Sequence, residues 1–165
     1  MSAKRLTHLA LYTAMAMALT ALESLIPLPA PVPGVKLGLS NVVILTALLF
    51  RGWRDAGIIL ALRILLGSFL IGSFSTLLFS AAGGILAYLA MTATLPFLPK
   101  DKIWAVSIFG ALAHNTGQLS MAALTFQTFV VFHFFPYLIL SAILTGLFTG
   151  LVARLLLRYE PWLRP

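Results

Sequence analysis

Seven polar or charged residues stand out because they fall inside or beside apolar runs. They are Glu23, Lys36, Asn41, Arg63, His114, Asn115 and Gln118. A polar group at bilayer depth is costly unless it faces a partner or a water-filled cavity. Arg63 lies about eight residues into its apolar run, roughly 12 Å from the nearer end of a helix. Its guanidinium can contact an anionic substrate group, or it can pair with backbone carbonyls or reach headgroup phosphates. His114 and Gln118 are four residues apart and share a helix face, with Gly110 one turn away. With Asn115 they form either a ligand or gating cluster or a set of interhelical hydrogen bonds. Asn41 follows Gly34, Lys36, Gly38 and Ser40. That spacing fits a broken helix start that exposes backbone groups to a ligand, or an ordinary helix cap. Glu23 reaches the interface or pairs with Lys36 across a proline-rich loop.

The elements that must carry these residues are membrane helices. The chain has 165 residues, 61% hydrophobic and 9% charged. Soluble domains carry about 25% charged residues. A mean hydropathy of +1.03 leaves too few polar side chains to cover a water-facing surface. Membrane helices need about 20 residues each, so six with tight loops fill the chain as one integral membrane domain. The expected spans are 6–26, 37–50, 56–71, 76–95, 103–124 and 134–157. Pro27, Pro29, Pro31 and Pro33 end the first, because proline cannot continue a helix. The second is short, and a run of that length can be re-entrant. The first apolar run extends to Ile26 with no small-x-small exit, which favours a retained span over a cleaved signal peptide.

Charge placement tests this count. With the N-terminus inside, Lys4, Arg5, Arg51, Arg54, Lys100, Lys102, Arg154, Arg158 and Arg164 fall in cytoplasmic segments, and Lys36 alone is outside. That satisfies the positive-inside rule and puts both termini in the cytoplasm of a multi-pass cell (inner) membrane protein. The net charge of +7 then reflects topology beside anionic lipid, not nucleic-acid binding.

Several chemistries are excluded. There is no cysteine, so no disulfide and no thiolate metal site. There is no P-loop, so the chain does not itself hydrolyse ATP by that route. Glu23, Asp55, Asp101 and Glu160 are the only acids, and all are far apart in sequence. Prenyl chain elongation needs clustered carboxylates to hold magnesium around diphosphate. No cofactor or metal site is expected, and no catalytic residues. Ala10, Ala14 and Ala18 form a small-residue stripe that permits close helix packing, with Glu23 roughly opposite Ala14.

The segments Pro-Gly-Val-Lys-Leu-Gly-Leu-Ser-Asn (33–41), Arg-Ile-Leu-Leu-Gly-Ser (63–68), Gly83-Gly84 and Gly-Ala-Leu-Ala-His-Asn-Thr-Gly-Gln (110–118) resemble the Gx transporter family. That family is also labelled heptaprenyl diphosphate synthase component I. The resemblance covers about residues 5–158. The family is similar to the substrate-binding S components of energy-coupling factor (ECF) transporters. This likeness implies an all-α, six-transmembrane-helix bundle with an outward-opening pocket capped by the loop 27–36. It also implies docking, through Ala10, Ala14 and Ala18, onto a transmembrane coupling protein driven by two ATPase subunits.

The leading expectation is therefore a substrate-binding membrane subunit that takes up a small metabolite of the vitamin, flavin or quinone/prenyl class. Glu23, Lys36, Asn41, Arg63, His114, Asn115 and Gln118 would form its site, with phenylalanines as apolar walls. The alternatives are a non-catalytic membrane subunit of prenyl diphosphate or quinone biosynthesis, and a redox-assembly protein whose polar residues are helix glue. A stand-alone carrier fits less well, since no internal repeat is visible.

Overall fold

The computed structural model describes residues 2–25, 38–71 and 74–159. Its described residues are all-helical. The order is α1 (Ala3–Ser24), α2 (Asn41–Arg51), α3 (Trp53–Ile71), α4 (Phe74–Thr94), α5 (Ile103–Phe126) and α6 (Phe135–Arg158). Short 3-10 turns at Leu95–Phe97, Lys100–Lys102 and Val130–Phe134 link the last three helices. Six helices match the six expected runs to within a few residues. The segments Ala3–Ser24, Leu77–Phe97 and Val130–Arg158 are long and apolar enough to cross a membrane. The other helices are shorter, as α2 is, or carry more polar residues.

The second run is the shortest helix for a physical reason. Gly38 has φ +78, a value open to glycine, and begins a turn rather than a helix. Asn41, Val42 and Val43 donate their N–H groups three residues back, to Gly38, Leu39 and Ser40. Helical geometry starts only at Asn41. The resulting 11 residues are about 16 Å long, against a hydrocarbon core of about 30 Å. Gly52, at φ +83, ends α2 and starts α3 one residue later.

Yet α2 is the centre of the bundle. Val43, Ile44, Leu45, Ala47 and Leu48 are all buried, as expected of a helix that is apolar all round. It packs against each of the other five helices. The main core joins it to Leu9 of α1, Ile59 and Leu60 of α3, Ala87 and Met91 of α4, Val106 of α5 and Ala153 of α6. A second cluster lies under the α5–α6 connection, built from Phe79, Leu119, Ala122 and Val131.

The helices α4, α5 and α6 approach by removing side chains. A Cβ on Gly117 would stand 2.5 Å from the Ala82 carbonyl oxygen. One on Gly150 would stand 2.5 Å from Trp104 Cα, and one on Gly146 would stand 2.6 Å from Ile108 Cα. Gly146 and Gly150 are a Gly-x-x-x-Gly pair, the small-residue spacing that lets helices touch along their backbones. Between them, Thr149 shares a buried 2.6 Å hydrogen bond with Ser107 of α5.

The first helix is attached differently. It packs on α3 and α2, burying Leu9, Thr13, Ala16 and Glu23. Ala10, Ala14 and Ala18 lie on the opposite, exposed face. Near its start, Arg5 donates to Asp55 Oδ1 from Nε at 2.9 Å and Nη2 at 2.6 Å. Arg51 stands 3.6 Å from the other Asp55 oxygen. This buried carboxylate fastens α1 to the α2–α3 elbow.

Candidate functional site

The turn 38–41 is where the buried polar side chains meet. Gly38 and Ser40 are buried, and Leu39 is half-buried. Buried irregular backbone needs partners that cover it and satisfy its polar groups. Three helices do so here. From α1, Glu23 Oε1 accepts the Gly38 N–H at 2.5 Å. From α3, Arg63 Nη1 donates to Ser40 Oγ. From α5, the His114 ring lies against Gly38, so close that a Cβ there would be 3.0 Å from His114 Cδ2 and 2.8 Å from Asn41 Nδ2. Glycine at 38 thus serves both the positive φ and the close approach of His114.

The fourth wall is α4. Arg63 Nη2 donates to Ser80 Oγ at 3.3 Å. One turn on, Gly83 and Gly84 leave room for two different neighbours. A Cβ on Gly83 would sit 2.9 Å from His114 Cε1 and 2.8 Å from Gln118 Cγ. One on Gly84 would sit 3.4 Å from Arg63 Nη2. The glycine pair therefore lets the α3 cation and the α5 polar face approach the same stretch of α4.

Burial makes this hub electrostatically demanding. Glu23 and Arg63 are each 3% exposed, and His114 and Gln118 still less. A buried charge requires a partner. The guanidinium has two serine hydroxyls, and Glu23 supplies the nearby negative charge. Arg63 Nε and Asn41 Oδ1 are buried with no hydrogen-bond partner among the described residues.

The residues singled out from sequence thus divide. Glu23, Asn41, Arg63 and His114 come together around Gly38 and Ser40, and Gln118 lies beside His114 against Gly83 of α4. Asn115 turns away, and its Nδ2 donates to the Leu138 carbonyl of α6 at 2.9 Å. The consecutive residues His114 and Asn115 are about 100° apart on a helix, so they cannot share a face. Lys36 and the loop 27–36 lie outside the described residues. Sequence reasoning missed Ser80, since serine is common in membrane helices and nothing in its spacing marks it. It also treated Gly38 and Ser40 as neighbours of Asn41, when they are the contact points themselves.

Among the described residues, no group of three or more histidines and acids comes together to hold a metal. Glu23 and Asp55 are tied at opposite ends of α1, about 27 Å apart if measured from Arg5 to Glu23 along the helix.

The sequence model for heptaprenyl diphosphate synthase component I matches residues 12–156. The chain belongs to that family. Its name implies a component of a multi-subunit assembly. The match begins within α1 and ends within α6, so it includes every helix that contributes to the hub. No curated protein and no solved structure matches the chain.

Proposed function

We propose that the protein is a solute-binding membrane subunit of an uptake system, with the 38–41 hub as its binding site. One observation carries this reading: a charged and polar cluster drawn from α1, α3, α4 and α5 converges on a broken helix start inside an apolar bundle. Broken helix starts at membrane depth expose backbone groups and are a recurrent solute-binding device. Packing alone gives no reason to bury Glu23, Arg63, His114 and Gln118 together. Six spans with cytoplasmic termini agree with the placement of the basic residues. The chain itself performs no catalysis in this reading. Energy comes from partners, a transmembrane coupling protein and two ATPase subunits. The exposed Ala10–Ala14–Ala18 face of α1 is the docking surface, and Glu23 on the opposite face points into the hub.

The test is native mass spectrometry of the protein released from its own membranes. A discrete small-molecule adduct is expected. It should be lost in Arg63→Ala and retained in Asn115→Ala. Wild-type protein with the same bare mass as Arg63→Ala, across several mild detergents, would count against the reading.

The family name favours one second reading, a non-catalytic subunit of prenyl diphosphate synthesis. It predicts that the protein raises chain elongation by a soluble prenyltransferase partner supplying the carboxylate–magnesium site. Unchanged elongation on adding the protein would dismiss it.

A further inference from the structure

The start of α3, away from the hub, carries a surplus of positive charge. The buried Asp55 carboxylate is approached by Arg5 at 2.6 Å and Arg51 at 3.6 Å, and Arg54 is the residue before it in the chain. Three arginines around one carboxylate leave two positive charges in excess. Arg5 and Arg51 face Asp55. Arg54 is exposed and, among the described residues, makes no hydrogen bond or ion pair; its guanidinium carbon lies 5.1 Å from the centroid of the Trp53 ring. Trp53 is itself exposed, yet its backbone is held. The Tyr88 hydroxyl of α4 donates to the Trp53 carbonyl at 2.8 Å, and Gly57 leaves room for it, since a Cβ there would stand 3.3 Å from the hydroxyl oxygen. Beyond Arg54, the same face of α3 is apolar. Ile58, Leu62 and Leu65 follow at steps of four, four and three residues, the spacing of one helix side, and all three are exposed. From Arg54 to Leu65 is about 16 Å along the axis, close to half of a hydrocarbon core of about 30 Å.

We propose that the start of α3 binds one anionic phospholipid. The Arg54 guanidinium donates to its phosphate oxygens, the Trp53 ring sits at headgroup level, and one acyl chain lies along Ile58, Leu62 and Leu65. A water-soluble anion would meet the arginine but gain nothing from the apolar stripe. A zwitterionic lipid would cover the stripe but bring its own cation into a region already in positive excess. An anionic lipid satisfies both ends. This site is separate from the hub and holds whether or not the hub takes a solute.

Native mass spectrometry of the purified, lipid-depleted full chain tests it. The protein in mild detergent is titrated with phosphatidylglycerol and, separately, with phosphatidylcholine of the same acyl chains. A one-to-one adduct with phosphatidylglycerol should form at about tenfold lower concentration than with phosphatidylcholine. Arg54→Gln should bring the two lipids to near parity while melting like wild type, because the Arg54 side chain is exposed. Arg158→Gln, which removes an exposed arginine at the end of α6, should keep the wild-type preference. Glycerol 3-phosphate, the headgroup chemistry without chains, should not displace bound phosphatidylglycerol. Equal binding of the two lipids by wild type overturns the proposal and leaves this face to a protein partner. An equal loss of preference in Arg158→Gln and Arg54→Gln overturns it in favour of diffuse surface charge. Displacement by glycerol 3-phosphate overturns it in favour of a free-anion site.

Discussion

The two sides of the bundle are joined by different physics. Along α4, α5 and α6, glycines bring backbones into direct contact, and van der Waals packing holds the helices. Along α1, apolar packing of Leu9 and Ala16 on α2 and α3 is supplemented by two polar ties near its ends, Arg5 to Asp55 and Glu23 to Gly38. The outer face of α1 holds only small and apolar side chains around Ala10, Ala14 and Ala18. Glycine contacts resist any change of side-chain volume but are indifferent to charge. Polar ties tolerate a change of volume on the free face but not the loss of a partner. A bundle built this way has a glycine-packed three-helix block and one helix whose apolar packing is pinned near each end by a polar tie.

Substitutions that exchange these sensitivities would break the comparison. The largest effect is expected at Glu23→Ala, which leaves the buried Arg63 charge uncompensated and the Gly38 N–H without its acceptor. Removing one partner of a buried charge pair costs about 3–5 kcal/mol, and thermal melting should show it. Next come Gly117→Ala and Gly150→Ala, where the added methyl meets backbone at 2.5 Å. Overpacking of that kind costs about 1–3 kcal/mol, and the lowered melting temperature should be unaffected by salt. Ser107→Ala should cost about 1 kcal/mol, because Thr149 Oγ1 keeps its 2.8 Å bond to the Thr145 carbonyl. Arg5→Ala should cost less than about 1 kcal/mol, since Arg5 is partly exposed and Asp55 keeps Arg51. Its signature should be faster hydrogen exchange confined to the first turns of α1. The smallest effect on stability is expected from Ala14→Leu, whose side chain points away from the bundle. Under the proposed function it should melt like wild type yet fail to co-purify with a transmembrane coupling protein, and normal co-purification would remove α1 as the proposed docking face.

Much of this plan was legible in the sequence. Apolar runs bounded by proline, glycine and basic residues gave six helices, because lipid demands long uninterrupted segments and breaks are chemically conspicuous. Arg63, His114 and Gln118 were visible as candidates because polar groups among apolar ones have few reasons to be there. What local pattern could not give was direction. Whether Arg63 turned toward Ser40 or toward a headgroup depended on where α2 and α4 lie, which is set by long-range packing. Asn115 seemed equivalent to its neighbour His114, and only the rotation of α5 separates them. The Gly146–Gly150 pair did not stand out among 12 glycines, because its partner surface on Trp104 and Ile108 is set by long-range packing.

The proposed function requires the turn 38–41 to be a solute-accessible chamber and not a sealed polar core. The chain contains no cysteine, so a single introduced thiol is a unique reporter. Ser80→Cys places one beside Arg63, and Ala122→Cys places one in the sealed cluster with Phe79, Leu119 and Val131. With a small cationic, water-soluble methanethiosulfonate reagent applied to membranes, the thiol at position 80 should react and the one at 122 should not. Equal protection of both positions would contradict the account.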